Sequence, residues 1–236
     1  MGNKMMSKSF DSEFDRIENL TWFPGVGKDY KSAPCKILII GESQYATQEG
    51  GEFDKETAEA FLRNKETTRE FAYNSIAKEE EPAKFYRNLL DTFLLDRNVE
   101  AFWNKVSFYH FFQRPDKAVS SNTHLKKEWL EAWSLWQKII GILHPDICIF
   151  CGVGLRRFYE EWNESIDKEA NWYDIKVDFC KENRQPPIRG EFEITTADIT
   201  QLLFINHPSS RGYSPECWRE FLKRQLPEVM DWLNEE

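Results

Sequence analysis

Four short apolar runs stand out along the chain: KILIIG (Lys36 to Gly41), KVSFYHFFQ (Lys105 to Gln113), DICIFCG (Asp146 to Gly152) and QLLFINHP (Gln201 to Pro208). Each is of strand length and rich in β-branched or aromatic residues, which predicts strands buried on both faces. The second stops at Arg114-Pro115, where the proline ends regular pairing. Between the runs the apolar positions recur at three-and-four spacing, the period of an amphipathic helix. Ala58, Phe61 and Leu62, then Phe85, Leu89, Leu90, Phe93 and Leu94, mark helices from Asp54 to Asn98, interrupted at KEEEPAKF. Trp129, Trp133, Trp136, Ile139 and Ile140 form one stripe on a helix from Leu125 to Leu143. VGLRRFYEEW predicts a helix directly behind the third strand, and CWREFLKRQLPEVMDWL a closing one. YDIKVDF and EFEITT flank a Pro-rich loop between Tyr173 and Ala197, the pattern of an antiparallel hairpin or flap. Buried strands alternating with helices predict a three-layer α/β/α domain with a central, mostly parallel four-stranded sheet. Residues 1–236 read as one domain, with a core over about 36–226, a polar N-terminal arm over 1–30 and a charged helical insertion over about 54–98.

Composition narrows the class. With 236 residues, 41% hydrophobic and 15% aromatic, the chain can bury one core of ordinary size. No apolar run approaches the roughly 18 residues of a membrane span, and the first twenty residues contain no apolar segment of the signal-peptide kind, so a cytoplasmic protein is expected. Lys and Arg number 31 against 40 Asp and Glu, a formal charge of -9, so any nucleic-acid contact must be made by a local basic patch. The five cysteines, Cys35, Cys148, Cys151, Cys180 and Cys217, are odd in number and scattered, which argues against a disulfide framework. Cys148 and Cys151 lie on a strand whose alternation points them to opposite faces, so no metal site and no cofactor is expected there.

In an open α/β sheet ligands bind just beyond the carboxyl ends of the strands. The segments to read are therefore Gly41-Glu42-Ser43-Gln44-Tyr45, His110-Phe111-Phe112-Gln113, Gly152-Val153-Gly154 and Asn206-His207-Pro208-Ser209-Ser210-Arg211. A carboxylate, an imidazole and hydroxyls on one rim, with aromatic rings beside them, suit a flat polar ligand and acid–base chemistry on it.

The first and last of these segments, GESQY and HPSSR, resemble the two signature motifs of the uracil-DNA glycosylase superfamily, which read GQDPY, GEAPG or similar after the first strand and HPSP or similar after the last. The resemblance spans roughly Lys36 to Leu226. It implies hydrolysis of the N-glycosidic bond of uracil or a related damaged base in DNA, with the base flipped from the stack into a pocket. The chemistry passes through an oxocarbenium-like sugar and a departing base anion, so it needs negative charge near the sugar and a donor at the base oxygens.

Carried over by position, His207 matches the motif-two donor to the base, and Glu42 the acidic second position of the GEAPG branch, which offsets the sugar cation or orients water. Tyr45 and Phe53 match the pocket wall and the base-stacking ring. His110 stands nearest to the place of the base-reading amide, and a lone imidazole lacks the paired donor and acceptor of an amide. Ser209 and Ser210 match the loop that grips DNA phosphates, Ser43 sits in the same rim on the DNA side, and Arg211 falls where relatives place a wedge residue. Ser43 and Gln44 replace the motif-one acid and proline of the GQDPY branch. Basic residues available to follow a backbone are Arg156 and Arg157, Arg184 and Arg189, and Arg211 with Lys223 and Arg224. The resulting expectation is a monomeric, cofactor-free DNA glycosylase. Its rivals are a non-catalytic member of the same fold that binds nucleic acid or a partner, and a hydrolase acting on a free nucleoside or nucleotide.

Overall fold

The computed structural model describes residues 6–46, 52–77, 83–96, 98–116, 124–166, 171–173 and 186–235. Along the chain run α1 (Asp11–Phe14), β1 (Gly25–Val26), β2 (Ile37–Gly41), β3 (Gln44–Tyr45), α2 (Lys55–Arg63), α3 (Thr67–Ala77), α4 (Lys84–Phe93), α5 (Val99–Lys105), β4 (Ser107–His110) and β5 (Pro115–Asp116). Then come α6 (Lys126–Leu143), β6 (Ile147–Cys151), α7 (Tyr159–Ser165), β7 (Asn171–Tyr173), β8 (Ile188–Thr195), β9 (Asp198–Ile205), α8 (Pro215–Gln225) and α9 (Pro227–Leu233).

The four apolar runs pair in parallel in the order β4-β2-β6-β9. The sheet they build is larger than the four strands expected. Among the described residues it has seven, in the order β1-β4-β2-β6-β9-β8-β7, with the three additions antiparallel. β1 was illegible for a physical reason, since two residues are too few to alternate. The antiparallel pairing expected between YDIKVDF and EFEITT is met in part: β7 pairs antiparallel with β8, and of YDIKVDF only Tyr173 lies within the described residues. EFEITT also pairs with the front of β9, which begins at Asp198 rather than Gln201 and turns around Ala197.

Side-chain alternation sends each parallel strand into two separate cores. Leu38, Ile40, Cys148, Phe150, Leu202 and Phe204 face α6 and α7, where Trp133, Trp136 and Trp162 pack. Ile37, Ile39, Phe108, Ile149, Leu203 and Ile205 face the other way, against α3, α4, α5, α8 and α9. Helices thus cover both faces, and Cys148 and Cys151 lie in opposite cores as alternation demands. Cys217 is disulfide-bonded, while Cys35, Cys148 and Cys151 are free.

Several local features depart from the periodic pattern. Lys105 belongs to α5, a seven-residue helix, so the second strand begins only at Ser107. The helix expected behind β6 is split by Phe158, whose φ of 58° is left-handed, into a 3-10 turn (Val153–Arg156) and α7. Pro227 divides the closing helix into α8 and α9. The N-terminal arm is not a polar appendage, since Phe14, Trp22 and Tyr30 are fully buried. It is tied down by the buried Arg69 guanidinium, which donates to Asp11, Glu66 and the Pro24 carbonyl. The segment from Asp54 to Asn98 likewise supplies Ala72, Tyr86, Leu89, Leu90 and Phe93 to the second core.

Phe150 and Phe204 stack across β6 and β9 with ring centres 4.4 Å apart. Phe150→Ala should cost about 3–5 kcal/mol in denaturant unfolding, the range for an aromatic lost from a packed core. A loss under about 1 kcal/mol would contradict the packing described.

Candidate functional site

The chain leaves β2 toward β4 on one side and β6 toward β9 on the other, so the crevice between the carboxyl ends of β2 and β6 is the topological switch point. Gly41 and Glu42 stand at that end of β2. His207 follows β9 two strands away, roughly 10 Å at the usual strand spacing, and α4 closes the interval. Phe85 packs its ring 5.1 Å from the His207 ring. The Phe85 ring edge also lies 3.5 Å from where a Gly41 Cβ would sit, and Phe108 lies 3.1 Å from it. A side chain at this position would meet Phe85 at ordinary contact distance and would press on Phe108, which would have to give by a few tenths of an ångström.

The motif-two loop is held by the first turns of α4. Asn88 donates to the Pro208 carbonyl at 2.6 Å, and Lys84 donates to the carbonyls of Ser209 and Ser210 at 3.0 and 3.3 Å. Thr92 and the Tyr213 hydroxyl pair at 2.8 Å further along the helix. These bonds satisfy carbonyls that a polar loop would otherwise leave to water, and they fix the backbone on either side of the imidazole.

His207 Nδ1 receives the Ser209 backbone N–H at 3.3 Å and lies 2.7 Å from the Ser209 hydroxyl. A backbone N–H can only donate, so Nδ1 is the acceptor and the neutral ring carries its proton on Nε2. Burial, reinforced by the Lys84 charge, holds the imidazole down at about 4. His207 is therefore a neutral hydrogen-bond donor at physiological pH.

Glu42 occupies a different microenvironment. Its Oε1 is buried and has no hydrogen-bond partner among the described residues. Burial pushes its carboxyl above the ordinary range, His124 opposes that electrostatically, and Asp116 adds to it. The neighbourhood is assembled by backbone bonds: Phe112 N–H donates to the Glu42 carbonyl at 2.9 Å, and β3 pairs in parallel with β5, setting Tyr45 beside Asp116. His124 stacks on Phe112 with ring centres 3.5 Å apart, its Nε2 2.7 Å from Asp116 Oδ2. Arg114 donates to His124 Nδ1 at 2.9 Å and pairs with Glu128 at 2.7 Å.

The residues singled out in the sequence fall into groups. Glu42 and Tyr45 share the Asp116 neighbourhood, and burial pushes the Tyr45 hydroxyl up, with Glu42 and Asp116 adding to it. His207 and Ser209 form the hydrogen-bonded pair described above, so the Ser209 hydroxyl is engaged with the ring. Ser43 donates to the Arg114 carbonyl at 2.5 Å, a contact that braces β3 against β5. His110 is buried within the second face, its Nδ1 3.0 Å from the Thr68 hydroxyl and its ring edge-on to Trp22 and Phe108. Phe53 is 39% exposed.

Arg211 is exposed, and neither it nor Arg87 on α4 makes an ion pair among the described residues. Arg156 is paired with Glu160 at 2.6 Å, Arg189 donates to Gln201, and Arg184 lies outside the described residues. Among the described residues no group of three His, Cys, Asp or Glu is arranged to hold a metal ion. No described helix is long and apolar enough to cross a membrane.

A groove of about 400 Å³ borders the Glu42 neighbourhood on its far side, lined by Phe112, Gln113, Arg114, Glu128 and the N-terminal Glu18 and Thr21. It faces α6 rather than His207. No family model matches this chain, and no curated protein sequence matches it.

Asp116, His124, Lys84, Phe85 and Asn88 were not anticipated as site residues. Lys84 and Phe85 lie in KEEEPAKF, read as an interruption between helices, and His124 in a stretch without periodicity. Only the pairing of β3 with β5 brings Asp116 to Glu42.

Burial holds the His110 imidazole at about 3, below the ordinary value near 6.5. A depressed group contributes stability that is complete above its unfolded value and is lost as pH falls through the folded one. Stability should therefore fall between about pH 6.5 and pH 3, with His207 adding to the loss. Urea midpoints followed from neutral to acid pH should decline less steeply in His110→Gln than in wild type. Equal slopes would contradict the buried neutral imidazole.

Proposed function

We propose that the chain is a glycosylase that hydrolyses the N-glycosidic bond of uracil or a related damaged base in DNA, on a three-layer fold of the uracil-DNA glycosylase kind. The observation that carries the reading is His207, held neutral after the last parallel strand with Nδ1 accepting from Ser209, which leaves the proton on Nε2 with no hydrogen-bond partner among the described residues. A neutral donor suits a base whose oxygen gains negative charge only as the bond breaks, because the bond strengthens toward the transition state.

Glu42 supplies the opposite charge. Burial makes its anion costly in the free protein, and a sugar cation forming beside it offsets that cost. The stabilisation is thus greatest when the glycosidic bond is stretched. The same carboxylate orients the attacking water. In this reading the base would lie between Phe85 on α4 and Tyr45 on β3.

The chain carries a charge of -9, and DNA contact falls to the rim of motif two. Arg211 lies on that loop, Lys84 bonds to its carbonyls, and Arg87 follows Lys84 on one face of α4 by three-residue spacing. With few phosphates neutralised, binding should weaken with salt only gently.

The test is cleavage of single- and double-stranded oligonucleotides carrying one uracil, read after alkaline scission. Wild type should cut, and His207→Ala and Glu42→Gln should each lower the rate by about 100-fold or more. A folded wild type that leaves the oligonucleotides uncut would overturn the reading. Release of uracil from deoxyuridine alone would move the substrate to a free nucleoside.

A further inference from the structure

The motif-one segment is held along its whole length by the chain that leaves β4. Phe111 N–H donates to the Gly41 carbonyl and Phe112 N–H to the Glu42 carbonyl, each at 2.9 Å. The Ser43 hydroxyl donates to the Arg114 carbonyl at 2.5 Å, Gln44 and Tyr45 pair with Pro115 and Asp116, and Ala46 N–H closes the run on the Asp116 carbonyl at 3.1 Å. Consecutive N–H groups of a regular strand point to opposite edges, so Phe111 and Phe112, which donate to the same neighbour, lie outside strand geometry. A turn of this kind needs support from a side chain, and Gln113 gives it. Its Nε2 reaches back to donate to the His110 carbonyl at 2.6 Å, while its Oε1 accepts the Trp22 N–H at 2.8 Å.

Trp22 is itself immobilised. Its side chain is fully buried, the ring edge-on to His110 at 5.6 Å, and its Nε1 donates to the Phe61 carbonyl at 2.9 Å. The residues after it are pinned in turn, Phe23 N–H donating to the Lys65 carbonyl at 2.9 Å and Arg69 to the Pro24 carbonyl at 3.1 Å. We propose that Gln113, anchored by Trp22 of the N-terminal arm, is a positioning residue that fixes the backbone presenting Glu42. This rests on reading Glu42 as the group that works at the sugar. Gln113 acts through the main chain: it closes the turn, the turn aligns the N–H groups of Phe111 and Phe112, and those two bonds set the path of the chain as it leaves β2. A displacement of about 1 Å in a reacting group is enough to cost on the order of 100-fold in rate. The arm therefore belongs to the site, although it supplies no reacting group.

The experiment replaces Gln113 by Met, which keeps its length and loses both hydrogen bonds, and follows amide hydrogen exchange by NMR together with uracil cleavage by the full chain. The Phe111 and Phe112 amides should exchange at least about tenfold faster than in wild type, with the Ile149 amide of β6 unchanged. A merely structural role would instead speed all three alike. In the same variant kcat should fall at least about tenfold while KM moves less than about threefold, the mark of a group displaced at the reacting bond. Should Gln113→Met fail to fold, Gln113→Glu keeps the acceptor for Trp22, loses the donor to His110 and is judged by the same comparison. Equal acceleration of all three amides, or no acceleration, overturns the proposal, and so does selective exchange with kcat unchanged; both leave the glycosylase standing. Selective exchange in a protein whose wild type does not cut supports Gln113 as the support of motif one and removes the reaction assigned to Glu42.

Discussion

Burial of the parallel strands on both faces is the constraint from which the rest of the molecule follows. Every residue of β2, β4 and β6 is buried, and the last four of β9 are too. Such strands have no room for an unpartnered polar side chain, so the first groups free to meet a ligand are those just past the carboxyl ends. Glu42 and His207 sit at those positions because the sheet admits them nowhere else. His110, still inside β4, shows the converse: it is enclosed by Trp22, Phe108 and Thr68 and held neutral.

The helix α4 turns two separate strand ends into one region. Its apolar stripe of Tyr86, Leu89, Leu90 and Phe93 anchors it in the core, which orients Lys84, Phe85 and Asn88 toward the motif-two loop. Lys84 thereby has two effects, securing the Ser209 and Ser210 carbonyls and discouraging a second positive charge on His207. The other side of the rim differs. The imidazole of His207 is kept from charging, whereas burial raises the Glu42 carboxyl, with His124 opposing the rise and Asp116 adding to it.

The strand core could be read from the chain because continuous apolar runs need no partner to be recognised. KILIIG and DICIFCG appear as β2 and β6 within one residue at each end. What escaped was short or depended on distant pairing. β1, β3 and β5 have two residues each, and α5 only seven, below the length at which periodicity speaks. The candidate site was legible in its two strand-end segments and not in its supports. Asp116 and His124 lie some 70 to 80 positions beyond Glu42, and nothing local in either segment announces the contact. Ser209 shows a further limit: spacing placed a hydroxyl in the loop, and only coordinates show it turned back onto His207.

The central claim is that His207 meets its ligand as a neutral ring with the proton on Nε2. The most direct measurement is the 15N chemical shift of its two ring nitrogens between about pH 5 and pH 8, assigned by their loss in His207→Gln. The account predicts one protonated and one bare nitrogen across that range, the bare one being Nδ1 beside Ser209. An imidazolium within the range, or a proton on Nδ1, would contradict it, because the ring would then have no neutral Nε2 donor to offer a departing base.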